Sequence, residues 1–327
     1  METPLPDTTT FHNESTVGKQ ISLSLQITFG ITYGIIAIIT LVGNLLVLIA
    51  VLKFQRLQIP TNYFVCSLAF ADVTVAILVL PLSLIYDLTG GEWWFGWVFC
   101  YFWRSCDVMC CTASILHLCC ISLDRYWAIT KPFAYTMKMS KGRVACMIIT
   151  VWFCSVCISF IPFYLGWFTD DPDTLYTDTG KCDLTVNKIY AVLSAMTSFY
   201  IPFIVMVFSY AAILRIAKIQ ANAIKKSIPR HSYTGGGGQE KYESAASDRK
   251  ALRTLGIIMG VFIVSWLPFF LMYIIMPFCS ECEISPMAIS VITWLGYGNS
   301  CMNPVIYAFM NRDFRLAFKK LLTCSVS

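Results

Sequence analysis

Four ionisable residues, Asp72, Asp107, Asp124 and Arg125, lie inside long apolar runs of the 327-residue chain. A charge at membrane depth costs roughly 2.5–3.5 kcal/mol on insertion scales, so each of the four is a candidate for function. Asp107 stands in Cys106-Asp107-Val108-Met109, with no cation in the neighbouring positions to neutralise it. A buried carboxylate left unpaired needs a guest cation, and an amine ligand supplies one through a charge-assisted hydrogen bond. The competing reading is a structural carboxylate bonded to another helix, for example through Tyr297. Ser194 and Ser198, four residues apart, project two hydroxyls from one helical face. Serines in membrane helices often bond only the carbonyl one turn back, so the pair alone does not decide between a ligand contact and a local bond. Trp266-Leu267-Pro268-Phe269-Phe270 couples a helix-kinking proline to aromatics that either wall a flat ligand or fill core.

Composition says what kind of scaffold must carry these residues. The chain is 57% apolar and 13% charged, with a mean hydropathy of +0.66, too apolar for a water-soluble globule. Its net charge of +5 does not signal nucleic acid, because the charged residues collect at the edges of the apolar runs. Seven spans follow, at about 21–52, 62–86, 97–129, 143–167, 187–216, 250–276 and 286–309. They far exceed the roughly 9–11 residues of a membrane strand and do not alternate with period two, so an all-α bundle of seven transmembrane helices is expected. Most of the fifteen cysteines, including Cys110, Cys111, Cys119, Cys120, Cys154 and Cys157, fall inside the spans and read as buried thiols.

Loops orient the bundle. Lys and Arg concentrate after spans 1, 3, 5 and 7, for example Lys53, Arg56, Lys131, Lys138, Lys225 and Lys226. The opposite segments hold only Lys19, Arg104, Lys181 and Lys188 beside acids such as Asp170, Asp171, Asp173 and Glu281. The rule that basic loops stay inside puts the N-terminus outside and the C-terminus in the cytoplasm. Residues 1–20 then form an extracellular tail, with a glycosylation sequon at Asn13, and 21–310 the bundle. No apolar stretch precedes span 1, so no cleavable signal peptide is expected. Cys100 and Cys182 both fall in oxidising space, where a bridge would tie the loop before span 5 over the outer mouth. Cys279 and Cys282 would close a small second loop. The polar stretch 221–247, with four glycines at 235–238, reads as a flexible loop. Residues 311–327 hold an amphipathic interfacial helix, with Phe314, Ala317, Phe318 and Leu321 on one face, and Cys324 beyond it as a palmitoylation candidate.

The motifs, one per helix and in order, resemble the rhodopsin-like G-protein-coupled receptors. They are Gly43-Asn44; Leu68-Ala69-Phe70-Ala71-Asp72; Asp124-Arg125-Tyr126; Trp152; Pro202 with Tyr210; Trp266-Leu267-Pro268; and Asn303-Pro304-Val305-Ile306-Tyr307. Asp107 and Trp294-Leu295-Gly296-Tyr297 are similar to the biogenic amine branch, including beta-type octopamine, D1-type dopamine, beta-adrenergic and some serotonin receptors. The resemblance implies that Asp107 holds a ligand ammonium braced by Tyr297. It also implies that Ser194 and Ser198 contact ring hydroxyls, and that Trp266, Phe269, Phe270 and Thr293 complete the ligand site. It implies a G-protein-coupling switch built from Asp124, Arg125, Tyr126, Tyr210, Asp248, Asn303, Pro304 and Tyr307. An allosteric sodium ion would sit at Asp72 with Ser114, Asn299, Ser300 and Asn303; no other cofactor is expected. Ala195 stands where several catecholamine receptors have another serine, and Thr293 where adrenergic receptors usually have asparagine, which argues against adrenaline-type recognition.

Other membrane functions fare worse. An opsin needs a span 7 lysine for its Schiff base, and no lysine occurs between Lys250 and Lys319. A secondary transporter should show inverted repeats, and none is visible. An enzyme needs a nucleophile with a base or a metal cluster, whereas His12, His117 and His231 are scattered. The expectation is therefore a plasma-membrane receptor for a small protonated aromatic amine, octopamine or dopamine first, with serotonin, trace amines or histamine as alternatives. Its expected partners are a heterotrimeric G protein of the stimulatory class, arrestin and membrane lipid, with no nucleic acid.

Overall fold

The computed structural model describes residues 23–171, 180–182, 186–227, 236–279 and 281–323. Asn13 and Cys324 lie outside the described residues. Span 1 is Leu23–Lys53, span 3 Gly96–Thr130, span 4 Lys141–Tyr164, span 6 Gly236–Ile275 and span 7 Pro286–Met310. Spans 2 and 5 are each three segments end to end: Pro60–Thr74, Val75–Val79 and Leu80–Leu88, then Lys188–Ala195, Met196–Tyr200 and Ile201–Ser227. Among the described residues, six helices are long and apolar enough to cross a membrane. Span 7 has the length, 25 residues, but buries Asn299, Ser300 and Asn303 in its middle.

In lipid every backbone polar group must be satisfied within the segment, so apolar runs of this length settle as helices. Their starts follow local chemistry. Ser140, Asn187, Ser285 and Asn311 accept backbone N–H bonds ahead of spans 4, 5, 7 and the C-terminal helix. Pro60, Pro132 and Pro286 occupy first turns, where the missing N–H costs nothing.

The middle segments of spans 2 and 5 are π-turns. Each lies just ahead of a proline, Pro81 or Pro202, whose ring cannot accept the preceding helical carbonyl without displacement. The extra residue absorbs that displacement and rotates the helical face beyond it.

Span 3 runs through the centre, packing on spans 2, 4 and 5, while span 1 packs on spans 2 and 7 and span 7 on span 6. Trp103, Tyr297, Phe64, Phe199 and Phe262 are fully buried. Large apolar side chains such as Ile31, Ile35, Ile38 and Val42 of span 1 point outward, as in a protein whose solvent is hydrocarbon. Two glycines allow close approach: a Cβ on Gly43 would meet the Pro304 ring at 2.9 Å, and one on Gly296 the Trp266 ring at 2.8 Å.

At one end of the bundle, Cys100–Cys182 joins the top of span 3 to the loop before span 5 and Cys279–Cys282 closes a tight loop, with Cα separations of 5.7 and 5.4 Å. Both expected pairings are present. At the other end, Pro132–Lys138 forms a short helix after Arg125. The C-terminal helix Arg312–Leu322 buries Phe314, Ala317 and Phe318, and Phe314 stacks on Tyr307 with ring centres 5.3 Å apart.

One expectation needs correction. The chain is helical to Ser227 and again from Gly236, so both flanks of the loop expected over 221–247 are helix, and 228–235 lie outside the described residues. Ala, Gln, Glu and Lys in 239–246 are good helix formers, and the span 6 helix already nucleated in the bundle propagates back through them.

Candidate ligand-binding site

Near the disulfide end a cavity of about 300 Å³ opens between spans 3, 5, 6 and 7, at the small end of the range for ligand pockets. Its wall includes Asp107, Ser194, Ser198, Trp266, Phe269, Phe270, Thr293 and Tyr297, so all eight expected ligand residues converge there. Tyr297 donates to Asp107 Oδ2 at 2.8 Å, and the Cys111 thiol lies 3.5 Å from Oδ1. The carboxylate is therefore oriented by a neutral donor and faces the cavity. The Tyr297 bond leaves Asp107 on the cavity wall, so the two readings that the sequence posed as alternatives are compatible in one geometry.

The serines are not idle hydroxyls. Ser194 donates to the Tyr190 carbonyl at 2.6 Å, the local bond a membrane serine favours, yet its oxygen also stands 3.1 Å from the Tyr273 hydroxyl across the cavity. Ser198 falls within the π-turn and accepts from Thr112 of span 3 at 3.1 Å. Trp266 and Phe269 meet edge to face at 5.7 Å, while Phe270 stacks on Phe199 at 4.3 Å. Flat walls of this kind suit an aromatic guest. Thr293 lines the cavity, but its hydroxyl donates to the Ile289 carbonyl at 2.8 Å.

The other lining residues escaped the sequence reading, among them Thr112, Tyr273 and Arg104. Tyr273 is four residues after Phe269 and shares its face, a spacing that signals it. Arg104 corrects an expectation outright: it precedes Asp107 by three residues, so one helical turn places a cation on the same wall.

Deeper in the bundle Asn303 Nδ2 donates to Asp72 Oδ2 at 3.0 Å. Asp72 Oδ1 and the side-chain oxygens of Asn44, Asn299 and Asn303 are buried with no hydrogen-bond partner among the described residues. Ser114 and Ser300 are buried on spans 3 and 7. Orphaned oxygen acceptors are the hard donor set that an alkali or alkaline-earth cation takes.

At the far end Arg125 Nη2 pairs with Asp124 Oδ2 at 2.9 Å, the one ion pair among the described residues. Thr61 donates to the same oxygen at 2.5 Å and Tyr135 of the short helix to Oδ1 at 2.8 Å. Burial and the adjacent Asp124 push the Tyr135 phenol up to about 12, which keeps it a donor at any physiological pH. Tyr210 reaches the Leu252 carbonyl at 3.4 Å, and Tyr126 is half-buried beside Arg125 in sequence. The side chain of Asp248 lies outside those described. His117 bonds the Ala113 carbonyl at 2.6 Å and faces Trp152, a core residue as expected.

Comparison with known proteins agrees with this arrangement. Residues 43–307 match the family described as 7 transmembrane receptor (rhodopsin family). The chain is 41% identical over 310 residues to the octopamine receptor beta-2R of Chilo suppressalis, covering 89% of this chain and 78% of that one. It is 43% identical over 328 residues to a D(1)-like dopamine receptor of Oreochromis mossambicus, covering 96% and 83%. Against the octopamine receptor beta-2R of Drosophila melanogaster the identity is 41% over 322 residues, and the match spans 60% of that longer protein. The central helix with its buried acids, the helix-lined cavity and the family match agree: the chain belongs to the rhodopsin family of seven-transmembrane receptors, a multi-pass membrane protein and not an enzyme.

Proposed function

We propose that this receptor binds a small protonated aromatic amine, a phenolamine or catecholamine of the octopamine or dopamine type, and signals through a stimulatory G protein. The observation that carries the reading is Asp107: a carboxylate braced by Tyr297 on a cavity wall, with no cation in ion-pair contact among the described residues. The ring of such an amine fits between Trp266, Phe269 and Phe270, and its hydroxyls exchange with the Ser194–Tyr273 and Thr112–Ser198 bonds. The names of the relatives, octopamine and D1-type dopamine receptors, support the same class.

Binding that joins span 3 to span 5 shifts the population toward a state with the Arg125 ends of spans 3 and 6 apart, freeing Arg125 for the G protein. Asp124, Tyr126, Tyr210, Asp248, Asn303, Pro304 and Tyr307 form the rest of that switch. The disulfide end with Asn13 faces the extracellular side of the plasma membrane, and the Arg125 end with Cys324 faces the cytoplasm, where arrestin also docks. A sodium ion at Asp72, Ser114, Asn299, Ser300 and Asn303 favours the resting state and opposes agonist by linkage.

A cyclic AMP assay in transfected cells against octopamine, dopamine, tyramine, serotonin, histamine and phenethylamine tests the reading. Octopamine or dopamine should raise cyclic AMP at the lowest concentration. A fall in cyclic AMP would overturn the coupling class, and equal potency of phenethylamine would overturn the phenol preference. Replacing sodium by a large organic cation at constant ionic strength should raise agonist affinity, and Asp72→Asn should remove that effect.

A further inference from the structure

Arg104 is a guanidinium built into the wall of the amine pocket, one helical turn from Asp107. Its Nε and Nη2 both donate to a single neutral acceptor, the Cys182 carbonyl, at 3.3 and 2.9 Å. Its plane is held over the Trp103 ring at 4.3 Å and near the Tyr86 ring at 5.7 Å. No described carboxylate lies in ion-pair contact with it. Asp87 is near enough to interact through space, but its Oδ2 is occupied by two neutral donors, Ser290 at 2.8 Å and Trp294 at 2.7 Å. A guanidinium has five N–H donors arranged to grip a carboxylate, and here the Cys182 carbonyl is its one hydrogen-bond acceptor among the described residues.

A plain aromatic amine has nothing to give this group, and brings a like charge toward it. A ligand carrying an acid group beside its ammonium has both partners: the ammonium for Asp107 and the acid for a cation one turn nearer the disulfide end. On a helix, Cβ atoms three residues apart are about 5–6 Å from each other, a span that two oppositely charged groups on one carbon atom bridge through the reach of Asp and Arg side chains. We propose that Arg104 is an acid-group subsite, which fits the pocket to aromatic α-amino acids as well as to the corresponding amines. The proposal rests on the amine reading for the Asp107 half of the site, while the Arg104 half stands on its own geometry.

The test is competition binding on surface-expressed receptor with matched pairs, tyramine against tyrosine and dopamine against dihydroxyphenylalanine, together with 3-(4-hydroxyphenyl)propionate, which has the acid but no ammonium. On the unmutated receptor each amino acid should compete within about tenfold of its amine, where a pocket offering only Asp107 would repel the added carboxylate. Arg104→Gln should weaken the amino acids at least about tenfold while strengthening the amines, because a like charge has gone; Arg104→Lys should restore part of the amino acid binding. Amino acids that fail to compete on the unmutated receptor overturn the proposal. So does an Arg104→Gln variant that weakens both members of each pair alike, since that marks Arg104 as an anchor for the Cys182 loop alone. If no amine binds but the propionate does, in a manner Arg104→Gln abolishes, the amine reading fails and the acid subsite stands.

Discussion

Span 3 carries an acid and an arginine near each end, and the two pairs are treated in opposite ways. At the Arg125 end Asp124 is saturated by its own chain: Arg125, Thr61 and Tyr135 all reach it, and its side chain is fully buried. At the disulfide end Asp107 receives, among the described residues, only Tyr297 and a thiol, while Arg104, one turn away, is turned to a carbonyl. The first arrangement is closed, in that a buried charge is satisfied within the chain itself. The second orients a charge without neutralising it, which is what a binding site requires, because a carboxylate already paired would have to break that pair before accepting a guest.

Changes at the open end should have the largest effect on ligand. Asp107→Ala should cost about 2–5 kcal/mol of amine binding, read as at least a tenfold rise in the competing concentration, with surface expression unchanged. At the closed end the same kind of change should instead alter stability and resting activity. Asp124→Asn should lower unfolding stability by about 1–3 kcal/mol, since Tyr135 and Thr61 lose a charged acceptor, and should raise ligand-free cyclic AMP as Arg125 is released. Melting of detergent-solubilised receptor and a basal signalling assay check both halves; equal melting temperatures would mean that the Asp124 contacts contribute nothing.

A smaller effect belongs to the contact between spans 5 and 6. A Cβ on Gly256 would overlap the Tyr210 hydroxyl, so Gly256→Ala should displace Tyr210 from the Leu252 carbonyl. Overpacking of this sort costs about 1–3 kcal/mol, and it should raise basal cyclic AMP without the loss of ligand affinity seen at Asp107. The smallest effect is expected at Ser194, where one neutral hydrogen bond is exchanged for another. Ser194→Ala should cost octopamine about 0.5–1.5 kcal/mol and phenethylamine less, in paired dose–response curves.

The bundle was legible in the sequence because its signals are long-range averages: apolar runs, the placement of Lys and Arg, and motif residues one per helix. The pairing of Cys100 with Cys182 and the convergence of Asp107, Ser194, Ser198 and Phe269 followed from the same frame. What escaped depends on local geometry that the frame does not carry. The π-turns ahead of Pro81 and Pro202 change which residues share a face, and a uniform period of 3.6 cannot register them. Thr61 and Tyr135 reach Asp124 from other segments and carry no motif of their own. Arg104 counts among the few cations of the outer segments, yet its spacing from Asp107 places it on the wall of the pocket.

The contact proposed between Asp107 and a ligand's ammonium carries the functional reading. Its most direct measurement compares an agonist amine with a neutral isostere, carbon or ether in place of nitrogen, on the unmutated receptor and on Asp107→Asn, which keeps the shape and removes the charge. The amine should beat its isostere by at least about tenfold on the unmutated receptor, and the preference should vanish on Asp107→Asn. A preference that survives the substitution would contradict the account, because the ammonium would then be held elsewhere.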